Sequence, residues 1–140
     1  SPSRKELSSY RLRENVKPIG KLCYLAKNET GSILSAVRYW PIKIQRFKFL
    51  LLGPLAVHPT IQAEGHGNYI INETLTRAEK FGWRAVILIG DLSYYRQFNF
   101  VIAKSIEFPL PTNPKRTLIK SLNGFDISLL KGKVERWGAK

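Results

Sequence analysis

The sequence predicts a single mixed α/β domain, one sheet with few helices, and three observations carry that expectation. A mostly apolar stretch, Lys21 to Asn28, and one with β-branched and aromatic residues, Ser32 to Ile44, meet at the turn segment Asn28-Glu29-Thr30-Gly31, the signal of a hairpin. Further on, an amphipathic helical stripe leads into the continuous apolar run Ala85-Val86-Ile87-Leu88-Ile89, the pattern of a strand buried on both faces. Finally, 140 residues with 44% hydrophobic and 24% charged side chains are enough for one core and too few for two.

In chain order, Lys21 to Asn28 and Ser32 to Ile44 form the hairpin, and Phe47 to Val57 follows Arg46 so closely that an antiparallel meander is expected. Gly53-Pro54 interrupts this third strand. Proline has no N–H to give the ladder and glycine weakens a strand interior, so the pair predicts a bulge or local splaying. A polar, glycine-bearing loop comes next, then a helix on which Ile71, Leu75 and Ala78 make one apolar stripe and Gly82 is the stop. A helix between the third strand and Ala85–Ile89 makes a strand–helix–strand unit, whose strands should run parallel. Gly90-Asp91 ends the fourth strand, and a short helical segment is expected around Ser93 to Gln97. Glu107 to Pro114 reads as a loop because of its three prolines. Late strands are expected at Phe100 to Ala103 and Asp126 to Val134, with Asn123-Gly124 as a turn.

A net charge of +13 would attract polyanions such as a nucleotide phosphate or nucleic acid. No run of five or six basic residues occurs and no aromatic–basic recognition motif is present, so a basic, solvated surface is the preferred reading. The single cysteine, Cys23, cannot form an intrachain disulfide and reads as a buried, inert thiol, which favours a reducing compartment and a cytoplasmic location. The longest apolar stretch, Phe49 to Val57, is too short to cross a bilayer, and no secretory signal is visible at the start of the chain. The chain lacks methionine and opens on Ser1, so an upstream segment is expected.

The segment richest in chemistry runs from Leu55 through Gln62-Ala63-Glu64-Gly65-His66-Gly67 into the helix. A glycine-bearing loop that opens a helix points several unpaired N–H groups at one spot, and the helix dipole adds partial positive charge. Glycines let the backbone approach a ligand without a Cβ in the way. Diphosphate suits such a loop, although two glycines alone also suit an ordinary turn. A Walker loop is excluded because no Gly-Lys-Ser/Thr follows the first glycine. A dinucleotide fingerprint needs a glycine at position 70, which holds Ile70, and needs its first glycine directly after the strand. Asp91 stands where a ribose-binding acid would sit, but the strand-to-glycine distance decides against that fingerprint.

Leu52-Gly53-Pro54-Leu55-Ala56-Val57-His58-Pro59, the loop Gln62-x-x-Gly65-x-Gly67, and Ala85 to Asp91 followed by Tyr94 to Phe100 together resemble the GNAT superfamily of N-acetyltransferases, and within it the bacterial YhbS-like subgroup. The resemblance is dense from Leu52 to Phe100 and looser elsewhere. It implies a twisted, mostly antiparallel sheet in which a central parallel pair, the strands of Val57 and Val86, splays into a V that holds acetyl-coenzyme A. The family's first strand and helices lie upstream of the matching region, so the domain, residues 1–140, is expected to be N-terminally incomplete. The pantetheine arm would pair with the backbone of Leu55, Ala56 and Val57, and main-chain N–H groups from Gln62, Ala63, Glu64, Gly65, His66, Gly67 and Asn68 would wrap the pyrophosphate.

The same resemblance implies direct attack of an amine, on a small molecule or a protein, on the thioester. It makes Tyr95, five residues before Phe100, the general acid, and a main-chain N–H at Ala56 or Val57 the group that polarises the carbonyl. No base is evident: His58 reads as structural, His66 as a phosphate or solvent contact, and water is the default. Ala63 and Glu64 replace residues that are often basic, Asn68 replaces a small hydroxyl residue, and Asn99 replaces a glycine. These departures leave open a non-catalytic module of the same fold that binds a coenzyme A ester or nucleic acid. No metal and no membrane are expected, and a monomer or homodimer is.

Overall fold

The computed structural model describes residues 8–57, 66–109 and 112–138. After a short helix α1 (Ser8–Arg13) come β1 (Tyr24–Lys27), β2 (Ile33–Ile44) and β3 (Phe47–Val57). Helix α2 (His66–Lys80), β4 (Ala85–Ile89), α3 (Leu92–Tyr95) and a 3₁₀ turn over Arg96–Phe98 follow. The chain then adds β5 (Val101–Ile102), β6 (Ile106–Glu107), β7 (Thr117–Ser121) and β8 (Gly132–Arg136). The strands lie in the order β5-β7-β4-β3-β2-β8-β6, with β1 also paired to β2. Pairing is antiparallel except between β3 and β4 and between β6 and β8. Among the described residues no helix is long and apolar enough to cross a membrane.

The sheet is covered on both faces. On one, Val37, Tyr39, Leu50, Leu52, Val86 and Leu88 pack beneath Ile70, Ile71, Leu75 and Ala78 of α2. On the other, Trp40, Ile42, Ile44, Phe49, Leu51 and Ile87 pack with Leu12 of α1 and with Phe108, Leu130 and Val134. This explains why β4 is apolar at every position while a half-buried strand would alternate. Tyr39 is fully buried, and its hydroxyl lies 2.7 Å from Thr74 Oγ1. Because the single Thr74 hydroxyl proton is given to the Ile70 carbonyl at 2.6 Å, Tyr39 donates to Thr74. That bond ties α2 to β2.

The meander, the parallel β3–β4 unit and the bounds of β3 and β4 match the sequence expectation. So does the stop at Gly82, where φ is 87°: Trp83 N–H reaches the Ala78 carbonyl and Gly82 N–H the Glu79 carbonyl, the Schellman pattern that closes a helix.

The late elements need correction. Asp126 to Val134 is not one strand. The Asp126 carboxylate accepts from Ser128 N–H, an Asx turn that starts a 3₁₀ helix over Ile127–Leu129, and β8 begins only at Gly132. Strand β7, the antiparallel partner of β4 from Ile89↔Thr117 to Ala85↔Ser121, was not expected at all. Glu107, assigned to the proline-rich loop, ends β6. Cys23 is half-buried rather than buried, and its thiol donates to the Ile19 carbonyl at 3.4 Å.

Candidate active site

Strands β3 and β4 run side by side only at Leu50↔Val86 and Leu51↔Ile87. Beyond that, β3 continues to Val57 and β4 to Ile89 without pairing to each other. Their other neighbours account for the divergence. The outer part of β3 stays on β2, with Leu55, Ala56 and Val57 opposite Val37, Ala36 and Ser35. The end of β4 stays on β7, with Ile89 opposite Thr117.

The bend of β3 has a local cause. The register against β2 jumps between Tyr39↔Leu52 and Val37↔Leu55, so Gly53 and Pro54 together face Arg38, a bulge of the expected kind. The Trp40 indole N–H donates to the Gly53 carbonyl at 2.9 Å and holds the bulge in place. Past Leu51, one edge of β3 belongs to β2 and the other faces the gap, where alternate residues present N–H and C=O groups with no strand partner. Leu55, Ala56 and Val57, expected to contact a ligand through their backbone, lie on that stretch.

Helix α2 begins at His66, after the chain has left the open end of β3. His66, Gly67 and Asn68 occupy its first turn, where N–H groups have no partner within the helix. Gln62, Ala63, Glu64 and Gly65, and His58, read above as structural, lie outside the described residues. The Asn68 side chain has a role the sequence did not disclose. Its amide donates to Gln97 Oε1 at 3.0 Å, its carbonyl accepts from the Tyr94 hydroxyl at 2.9 Å, and Gln97 Nε2 donates to the Tyr94 carbonyl at 2.9 Å. This closed set of bonds clamps the first turn of α2 to the segment that follows β4. The departure at Asn68 therefore leaves its main-chain N–H as the group that could meet a phosphate.

Tyr94 and Tyr95 differ in what their hydroxyls do. Tyr94 is bonded to Asn68, whereas the Tyr95 hydroxyl has no hydrogen-bond partner among the described residues. The Tyr95 ring is held edge-on to Tyr94, with centroids 4.9 Å apart, and to Phe100 at 5.6 Å. A Cβ at Gly90 would come within 2.6 Å of Tyr95 Cε2, so the ring can lie against the end of β4 only because residue 90 lacks a side chain. Burial, with Tyr94 and Asp91 adding and Arg116 opposing, pushes the Tyr95 phenol up to about 12. Burial also raises Tyr39, with its hydrogen bond to Thr74 opposing and the charge of a Tyr95 phenolate adding.

The Asp91 carboxylate, at the position of a ribose-binding acid, instead accepts from Arg116 at 3.1 Å. Asn99 adopts the left-handed conformation, φ 68° and ψ 28°, so the turn into Phe100 survives the loss of glycine. Two cavities of about 950 and 590 Å³ open around β5 and β6, lined by residues such as Ile102, Ile106, Phe108 and Leu130.

Known proteins show where this architecture recurs. No family model matches the chain. The Escherichia coli (strain K12) uncharacterized N-acetyltransferase YhbS is 27% identical over 81 residues, which cover 56% of this chain and 48% of that protein; the chain thus spans about half the length of the curated relatives it matches. Among solved structures, the Escherichia coli GNAT family N-acetyltransferase YhbS in complex with CoA superposes with a TM-score of 0.73 at 23% identity, covering 80% of this chain and 64% of that one. A GNAT family acetyltransferase from Brucella melitensis in complex with acetyl-CoA gives a TM-score of 0.61 at 28% identity, covering 79% and 63%. With its parted parallel pair, its helix starting at the open end and these likenesses, the chain has the fold of the GNAT N-acetyltransferases and resembles their YhbS members.

Proposed function

We propose that the chain is an acetyl-CoA-dependent N-acetyltransferase, acting in the cytoplasm on an amine of a small molecule or protein. The observation that carries this reading is the end of β3–β4 pairing after Leu51↔Ile87, which leaves strand-edge backbone groups open beside the first turn of α2. A pantetheine arm has alternating amide groups that can pair with such an edge at Leu55, Ala56 and Val57. A diphosphate fits the unpaired N–H groups and positive dipole at a helix start, here the first turn at His66, Gly67 and Asn68. The CoA and acetyl-CoA complexes of the two similar structures support this choice of co-substrate.

In the reaction the acceptor nitrogen attacks the thioester carbonyl carbon while an N–H at Ala56 or Val57 polarises its oxygen. The carbon–sulfur bond breaks, the departing sulfur takes the Tyr95 proton, and water removes the proton of the new ammonium. Tyr95 suits the acid role because its hydroxyl is uncommitted and stays protonated at neutral pH.

A panel of amines incubated with acetyl-CoA and a thiol reagent tests the proposal. Amine-dependent release of free thiol is expected. Replacing Tyr95 with Phe should lower kcat by about 100-fold, the usual weight of a positioned acid, and leave coenzyme affinity within about two-fold. A coenzyme that binds with no thiol release for any amine would instead support a non-catalytic binding module.

A further inference from the structure

At the end of the sheet away from the parted strands, the folded chain gathers aromatic rings and cations that lie far apart in sequence. Lys48, which opens β3 beside Phe47, places its ammonium 4.6 Å from the centre of the Trp137 ring and 5.9 Å from that of Trp83. The Arg84 guanidinium lies 5.3 Å from Phe47 and 5.2 Å from Phe125, with Arg46 5.0 Å from Phe47. Just before Trp83, Phe81 is 51% exposed and carries the Lys21 ammonium at 5.5 Å. Trp137 is 37% exposed. Among the described residues the ion pairs are Arg77–Glu73 and Arg116–Asp91, so Lys48, Arg46 and Arg84 have no carboxylate partner there. These residues come from separate elements, which is why no linear motif marks them.

We propose that this surface binds single-stranded nucleic acid, with phosphates on Lys48 and Lys21 and bases stacked on Trp137 and Phe81. Exposed rings beside unneutralised cations match a strand that alternates π-faces with negative charge. An acidic peptide would use the cations and leave the rings idle. A duplex would keep its bases stacked on each other and out of reach. The surface lies at the opposite end of β3 and β4 from the proposed coenzyme site, so its occupancy does not depend on acetyl transfer.

Fluorescence anisotropy with a labelled single-stranded RNA of about a dozen nucleotides, a length within the usual site size, tests the proposal across a series of salt concentrations. Binding should weaken with salt, and duplex RNA or polyglutamate should compete poorly. Trp137→Ala should weaken binding about ten-fold, the weight of one stacked base, while Trp137→Phe keeps most of it. Lys48→Ala should reduce the log–log salt slope by about 0.7, the loss of one phosphate contact on a single strand. Lys104→Ala, on another part of the surface, should change little. Absence of binding, equal competition by duplex or polyglutamate, or unchanged affinity in a folded Trp137→Ala variant would each overturn it.

Discussion

Tyr94 and Tyr95 are adjacent and touch edge to face, yet only the Tyr95 hydroxyl lacks a hydrogen-bond partner among the described residues. The Tyr94 hydroxyl donates a hydrogen bond to Asn68 Oδ1, and its ring helps hold Tyr95 in place. Because burial raises the Tyr95 phenol to about 12, its acid form persists through neutral and moderately alkaline pH. The fall in kcat that an ordinary tyrosine acid would cause near about pH 10 should therefore be absent, and a pH–rate profile of the wild type checks this. Gly90→Ala offers a separate test. The added methyl meets the Tyr95 ring at 2.6 Å, so the ring must move. We expect kcat to drop at least about ten-fold with coenzyme affinity little changed; steady-state kinetics beside a coenzyme titration separates the two. The family resemblance pointed to the candidate tyrosine, five residues before Phe100. The sequence could not disclose that Gly90 makes room for the ring, since that depends on a side chain folding back onto the end of β4.

The bulge in β3 was legible at the scale of the element, because Gly53-Pro54 cannot sustain a regular ladder whatever the surroundings. Its anchor was not: Trp40 looks like any other core aromatic until β2 sets its indole against the Gly53 carbonyl. Trp40→Phe keeps most of the packing and removes that bond. A loss of about 1 kcal/mol is expected, together with a raised KM for acetyl-CoA as the bulge relaxes; denaturant unfolding and initial rates measure both. Local signals fail most clearly at β7. Leu118 and Ile119 are only two apolar residues between Arg116 and Lys120, too few for a period. The strand exists because β4 needs a partner on the edge that β3 does not cover. Asp126 misled in the other direction, since the residues after it are apolar enough for a strand while its carboxylate caps a turn.

For the molecule as a whole, the parting of β3 and β4 comes from long-range pairing. One strand is held by β2 and the other by β7, so the gap between them belongs to the architecture of the sheet. Composition and periodicity gave the parallel unit, and the family resemblance gave the expectation that it splays. The proposed site unites three places: the free edge at Leu55 to Val57, the first turn of α2, and the ring of Tyr95. Hydrogen–deuterium exchange with and without saturating acetyl-CoA examines all three at once. Slowed exchange is expected in peptides covering 52–70 and 90–98, with α1 and β8 unchanged. Unaltered exchange across 52–70 under saturating acetyl-CoA, or protection found only elsewhere, would contradict it.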